Sequence, residues 1–528
     1  MKRINIHWPL LTILFLSAGI NILLAIYSPV VQDELAYGMR AIRLEDNLYS
    51  SSQTTPFQWY EVVPWWAHLS FHDHPPLVMW IQHVFIRVFG DSLFVMRLPS
   101  VLFGVLSVYL IFLIAKRVSG ERVALLSAAL LAVNTHITYF ASRALMESIT
   151  LALVLGVIYV LLRALDDRRY LPYLGIALGL AILAKYTAFV MMPVVLWSIW
   201  WWRRSYLRTR QLWYAVCCLC LMLSPVIIYN VMLYRSLGHF DMQLAYFFSQ
   251  ATPEWPYDIQ LGKLERGSFG ERLISSPSIF GYWSLGMTIV FLFSSWYVLT
   301  RQKLSVVWEQ REWWVIVTTA VMYMIASVGV FGASPRFSVY ITPLIIALIS
   351  AVLVRYVNRA MMRYAIWGFV AYEACFSLVT GGVFFPYQVV PGVTHSEALR
   401  QEDLGVIALD RYLTDSDITL VYDDRVSMAT QLYVFERRAR RAQNVFPLSL
   451  FIDNMDISRG TYIYIATENY RLPTGGRREN RHHENFIRRS DISFESVIRS
   501  RQGNEVFRVY RGGEIAFGVR QPTPLTSR

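Results

Sequence analysis

Val30-Val31-Gln32-Asp33-Glu34 sets two adjacent carboxylates just beyond the apolar run Trp8–Tyr27. Further on, His72-Asp73-His74-Pro75-Pro76 places another acid between two histidines and closes on a stiff Pro-Pro. Carboxylates are expensive at a membrane and are rare there unless they serve a site. Together the two stretches decide the fold: the rest of the chain reads as a scaffold of membrane spans facing these residues.

Composition supports that reading. The 528 residues are 55% hydrophobic and 16% charged, with a mean hydropathy of +0.38, and the apolar residues come in blocks long enough to cross a bilayer. The net charge of +12 does not point to nucleic acid. From Phe385 onward there are twenty Arg, no Lys and eighteen Asp plus Glu, a net of only +2. The excess therefore lies in the membrane part, where it reads as topology. Cys217, Cys218, Cys220 and Cys375 sit in apolar blocks without metal-site spacing and are expected to be packing residues.

Basic clusters mark every second boundary: Lys116-Arg117, Arg168-Arg169, Arg203-Arg204, Arg301 with Lys303, and Arg355 with Arg359. The short turns between, near 142–148 and 332–337, carry one Arg each. This predicts a polytopic α-helical membrane protein of about eleven spans, near 8–28, 92–115, 122–141, 149–165, 171–184, 187–202, 211–233, 279–299, 313–331, 337–354 and 364–382. The stretch 171–202 is split at Lys185. A membrane domain over 1–385 then starts inside and carries two outer loops, 30–91 and 234–279. The first loop holds two candidate interfacial helices, one with Leu35, Met39 and Ile42 in line, the other with Trp80, Val84 and Val88. Residues 386–528 read as a small extracytoplasmic α/β domain, with β-type runs at 418–422, 461–465 and 506–510. The basic run from Arg477 to Arg489 is expected to be a solvated loop. No internal repeat and no Gly-rich phosphate loop is evident.

On this topology the polar exceptions share one face. Asp33, Glu34, His72, Asp73 and His74 lie in the first outer loop. Arg143 and Glu147 flank a short outer turn, Lys185 lies at the break between two spans, and Arg336 with Tyr340 opens the tenth. A carboxylate there can act as general base towards a hydroxyl. Arg and Lys opposite can hold a phosphate and stabilise the charge it gathers as it leaves. Acid, phosphate clamp and apolar groove together suggest group transfer from a lipid-linked phosphate donor.

The residues that follow one another in the chain carry a resemblance. Asp33-Glu34 comes first, then His74-Pro75-Pro76-Leu77, Phe89-Gly90-Asp91-Ser92 and Arg97-Leu98-Pro99-Ser100. Next come Ser142 to Ser148, Gly179-Leu180-Ala181 with Lys185, and Pro335-Arg336-Phe337 ahead of Tyr340 and Pro343. The ordered set resembles the GT-C membrane glycosyltransferases, in particular the protein O-mannosyltransferase and aminoarabinose transferase group, over roughly residues 10–350. The resemblance implies an inverting transfer from a polyprenyl-phosphate sugar donor to a lipid, glycan or protein acceptor on the outer face of a membrane such as the bacterial inner membrane. It implies Asp33 as base with Glu34 in support, Lys185 and Arg336 near the carrier phosphate, and Arg143 with Glu147 shaping the cavity. Two positions depart from the pattern: His74 stands where many members have Lys, and Glu147 where many have Asp.

No cofactor is expected; His72, His74 and Glu147 are candidate ligands for a divalent metal, although His-x-His spacing is not diagnostic. Trp59, Trp65, Trp66, Tyr282 and Trp283 could stack on sugar or lipid, or anchor at the interface. The rival reading is a lipid or glycolipid transporter. That class places charges near the bilayer midplane in paired halves, whereas here they gather at one boundary.

Overall fold

The computed structural model of the chain describes residues 8–28, 32–43, 60, 62–90, 92–248, 250, 270, 283–301, 310–331, 335–356 and 359–380, and in the C-terminal part 419–423, 445–448, 451, 461–466, 481–488, 492–499 and 505–512. Two compact units emerge, one comprising Met1–Asn47 with Thr55–Pro391, the other Leu48–Thr54 with Gly392–Arg528. The expected boundary at 385/386 falls outside the described residues.

The first unit is a helical bundle, and the described residues of the apolar stretches lie largely in helix. α1 is Trp8–Tyr27, α2 Gln32–Arg43, α3 Leu77–Phe89, α4 Leu93–Ser119, α5 Glu121–Val133, α6 Thr135–Ala141, α7 Met146–Ala164 and α8 Leu171–Ala184. α9 is Met191–Trp202, α10 Arg210–Leu237, α11 Met242–Phe247, α12 Leu285–Arg301, α13 Arg311–Ala326, α14 Pro335–Ser338, α15 Thr342–Tyr356 and α16 Arg359–Thr380. Five spans among the described residues are long and apolar enough to cross a membrane: α1, α4, α7, α10 and Arg311–Phe331, which is α13 with a π turn at its end. The pair α5–α6, bent by 61° at Asn134, makes a sixth if it counts as one span. The bend is local chemistry: the Asn134 side chain accepts from the Ile137 N–H at 3.3 Å and starts a new helix.

Two features of the bundle place the break at Lys185. α8 lies directly along α10, because a Cβ at Gly175 would collide with the Ala215 carbonyl and one at Gly179 with the Met222 side chain. Small residues spaced this way let helix backbones touch in a membrane. α8 then stops at Lys185, which is extended (φ −162°, ψ 134°), and a 3₁₀ turn Tyr186–Val190 leads into α9. The expected split of 171–202 is at the predicted residue.

α3 is amphipathic, as its periodicity predicts. Val78, Met79, Gln82 and Ile86 pack inward, while the Val84–Val88 line and Phe89 face out, as suits a helix lying in the interface plane. The side chains of Leu35, Met39 and Ile42 lie outside the described residues. The cysteines correct an expectation. Cys217, Cys220 and Cys375 are exposed and Cys218 half-buried, so they sit on outward faces of α10 and α16 rather than in the packing core.

The second unit holds a five-stranded sheet of order β2-β1-β3-β5-β4, with β1 Thr419–Tyr422, β2 Val445–Pro447, β3 Tyr462–Ala466, β4 Ile492–Arg499 and β5 Glu505–Gly512. β1 runs parallel to β2 and β3, and β5 antiparallel to β3 and β4. Its core gathers Val421, Leu448, Phe451, Tyr462, Tyr464 and Phe486. The basic run is not all loop: Arg481–Ile487 is helical (α17). His483 is drawn into the core and bonds the Tyr464 hydroxyl at 2.8 Å, because Phe486 on the same helix face packs into the sheet.

Candidate active site

Asp33 and Glu34 are neighbours on α2 and therefore point about 100° apart, as successive helix positions must. Glu34 turns inward and is fully buried. Its two oxygens accept from Arg97 Nε at 2.5 Å and Arg97 Nη2 at 2.8 Å, and Oε1 also accepts from the Ala144 N–H at 2.8 Å. Arg97 in turn donates from Nη1 to the carbonyls of Ala25 at 2.8 Å and Ser28 at 3.0 Å. One buried ion pair thus ties together the end of α1, α2, α4 and the turn before α7. Burial pushes the Glu34 carboxyl up, but the Arg97 guanidinium, with the Ala144 N–H and Arg143, more than offsets it, and the group ends below its ordinary value.

Asp33 faces the other way and pairs with Arg336 Nη1. Its side chain is 41% exposed, so it is reachable from outside the protein. Arg336 is the centre of the cluster. Its Nε donates to Glu147 Oε1 at 2.7 Å and its Nη2 to the Tyr37 hydroxyl at 3.3 Å. The same Glu147 oxygen accepts from Lys185 Nζ at 2.7 Å, while Glu147 Oε2 is buried and has no hydrogen-bond partner among the described residues. Lys185 also lies over the Phe337 ring at 5.6 Å. Tyr340 joins from the side: its hydroxyl accepts from Thr187 Oγ1 at 3.1 Å, and its ring stacks on Tyr323 at 4.8 Å. Two carboxylates and two cations are therefore in mutual contact, and only Asp33 and Arg336 are substantially open to solvent.

The His72-Asp73-His74 stretch lies beside this cluster. Asp73 pairs with Arg40 at 2.6 Å and with His74 Nδ1 at 3.0 Å. The His74 ring meets Tyr37 edge-on at 5.3 Å, which links the stretch to Arg336. Burial raises the Asp73 carboxyl, but Arg40 and His74 outweigh it and hold the group below the usual range. His72 faces elsewhere, its ring 6.2 Å from that of His239.

Arg143 is fully buried, stacked over the Tyr139 ring at 4.0 Å and donating to the Tyr139 carbonyl at 3.0 Å and to Ser142 Oγ at 3.3 Å. Its electrostatic influence reaches Glu34. The suggested metal trio is not brought together: Glu147 is held by Lys185 and Arg336, and His74 by Asp73. Among the described residues no group of three or more His, Cys, Asp or Glu is placed to hold a metal ion.

Two of the aromatics depart from the interfacial expectation. Trp66 is buried against Tyr229 and Leu233, and Trp283 is buried with its indole N–H donating to Thr342 Oγ1 at 3.1 Å. Trp65 is exposed, and Trp59 and Tyr282 lie outside the described residues. Sequence reasoning missed Arg97 and Arg40 as partners of the acids. Arg97 carried a usable signal, a lone cation inside a long apolar helix, which must find an acid or carbonyls. Tyr37 and Arg40 carried none.

Residues 73–229 match the family model of dolichyl-phosphate-mannose-protein mannosyltransferase. No curated protein sequence matches the chain. Among solved structures it is similar to ArnT from Cupriavidus metallidurans bound to undecaprenyl phosphate, at 14% identity over 97% of this chain and 98% of that one, with a TM-score of 0.59. The apo state of the same ArnT matches at 14% identity over 95% and 97%, with a TM-score of 0.60. With apolar helices throughout the first unit and these likenesses, the chain is an integral membrane protein of the GT-C fold, resembling the protein O-mannosyltransferases and aminoarabinose transferases.

Proposed function

We propose that this chain transfers a sugar from a polyprenyl-phosphate-linked donor to a hydroxyl or phosphate acceptor on a lipid, glycan or protein, at the outer face of a bacterial inner membrane, with the C-terminal unit also outside. The observation that carries this reading is the cluster of Asp33, Arg336, Glu147 and Lys185. It sets an accessible carboxylate against two cations close enough to share one anion. Arg336 offers a planar fork suited to phosphate oxygens, and Lys185 a point charge. Both are on hand to take the charge that develops on a leaving phosphate.

The step balances as a single displacement. The acceptor hydroxyl loses its proton to Asp33, and its oxygen bonds the anomeric carbon. The bond from that carbon to the carrier phosphate breaks, and its electron pair leaves on the phosphate, held by Lys185 and Arg336. Attack opposite the leaving group inverts the anomeric centre. Glu34 takes no part in the transfer on this reading: its oxygens are committed to Arg97 and Ala144, and it aims α2 so that Asp33 faces outward. Glu147 orients Lys185 and Arg336.

The test is turnover of a purified lipid-linked sugar donor by the purified chain, read as release of polyprenyl phosphate and appearance of the glycosylated acceptor. Mass spectrometry of lipids and glycans from cells with and without the gene would identify the acceptor. A chain that moves the lipid-linked donor between leaflets without breaking the sugar–phosphate bond would be a transporter, and the enzyme reading would be refuted.

A further inference from the structure

Residues 185–187 span the break after α8 and the start of the 3₁₀ turn Tyr186–Val190, and each of the three side chains reaches a different element. Lys185 goes to Glu147 on α7, Thr187 to Tyr340 ahead of α15, and Tyr186 to Asp241, whose Oδ2 accepts from the Tyr186 hydroxyl at 2.5 Å. Asp241 is fully buried and follows Gly238, which caps α10 with a left-handed φ of 80° and turns the chain back onto the bundle. Among the described residues every hydrogen-bond partner of Asp241 is neutral. Burying a carboxylate in such a place is costly, so its presence asks for a reason.

Capping α11 is part of the reason. Asp241 Oδ1 accepts from the Leu244 N–H at 3.0 Å. A cap needs only that oxygen, however, and Oδ2 is given over to Tyr186 and to Asn230 Nδ2 at 2.9 Å. Asn230 completes the node by accepting from the Asp241 N–H at 2.7 Å. A hydroxyl bonds a carboxylate more strongly than a neutral acceptor, which stiffens the joint next to a lysine whose own four-carbon stem is flexible. The node also aligns the neighbouring acid stretch, because the Met242 N–H donates to the His72 carbonyl at 2.8 Å. Burial pushes the Asp241 carboxyl up, although Tyr186, Leu244 and Asn230 pull against it.

We infer that Asp241 is a positioning residue that fixes the Lys185 ammonium in the donor-phosphate site by gripping the adjacent Tyr186. This rests on the reading of Lys185 proposed above. Asp241 touches no reacting atom; it acts through one hydroxyl and one peptide bond.

The test uses the full chain in detergent and measures binding of undecaprenyl phosphate, together with KM and kcat for the lipid-linked donor. Tyr186→Phe removes only the hydroxyl and should weaken binding about tenfold, with KM moving more than kcat. Asp241→Asn keeps an acceptor for that hydroxyl and should weaken binding less, by roughly threefold. A general structural role would lower the melting temperature in any background. A positioning role predicts in addition that neither substitution weakens binding further once Lys185→Ala is present, the non-additivity expected of groups acting through one another. Wild-type binding by Tyr186→Phe beside weakened binding by Lys185→Ala would overturn the inference alone. So would a loss that repeats in full on the Lys185→Ala background. Wild-type binding by Lys185→Ala would overturn the phosphate clamp itself, and this inference with it.

Discussion

Adjacent carboxylates on one helix offer a double dissociation between folding and chemistry. Glu34→Gln keeps the shape of the side chain but leaves the Arg97 guanidinium as an uncompensated charge in a fully buried place. The amide oxygen introduced by the substitution can still accept from the Ala144 N–H, and Arg97 keeps the carbonyls of Ala25 and Ser28, but the amide nitrogen then faces Arg97 Nη2, donor against donor, so the loss is the charge pair and one of its hydrogen bonds. Breaking a buried pair by removing one partner costs about 3–5 kcal/mol, and a loss in that range is expected. Asp33→Asn is the opposite case. The Asp33–Arg336 pair is 41% and 31% exposed at its two side chains, and such pairs contribute about 0–1 kcal/mol. The stability effect should therefore be small, whereas loss of the proton acceptor should slow transfer by ~10²–10⁴-fold. The assay is a thermal melt of each purified variant beside turnover per folded molecule. Glu34→Gln should melt well below wild type and keep transfer within about tenfold of it; Asp33→Asn should melt as wild type and transfer almost nothing. Equal destabilisation by the two, or near wild-type transfer by Asp33→Asn, would refute the division of roles.

The remaining predictions probe the clamp, the acid limit and the topology. Lys185→Ala and Arg336→Ala should each weaken donor binding or rate by roughly ten- to a hundred-fold, the worth of one charge-assisted contact; unchanged turnover in both would show the phosphate lies elsewhere. Glu34 and Asp73 sit below their ordinary values of 4.5 and 3.8, so the stability they confer is fully present above those values and is lost as pH falls through their lower folded ones. Melting temperature should thus fall steeply below about pH 4, and a flat profile there would contradict both ion pairs. A phosphatase reporter fused after Gly392 should be active, whereas activity only from a cytoplasmic reporter there would invert the proposed topology.

The apolar blocks determined a helical membrane bundle by themselves, because helix and burial in a bilayer are written locally: every peptide group must be satisfied within its own segment. The break at Lys185 was legible for the same reason, as a single cation interrupting an apolar run. So was the gathering of Asp33, Glu147, Lys185 and Arg336 in one cluster, since positive clusters order the spans. Which residue meets which was not legible. Asp33 and Glu34 read alike in sequence, and only the rotation of α2 against α4 and α14 sends one to Arg336, 303 positions from its partner, and the other to Arg97, 63 positions away. The Asp241 joint and the inward turn of His483 are of the same kind. Such pairings depend on where separate elements come to rest against each other, and composition and periodicity, which describe one element at a time, carry no record of that.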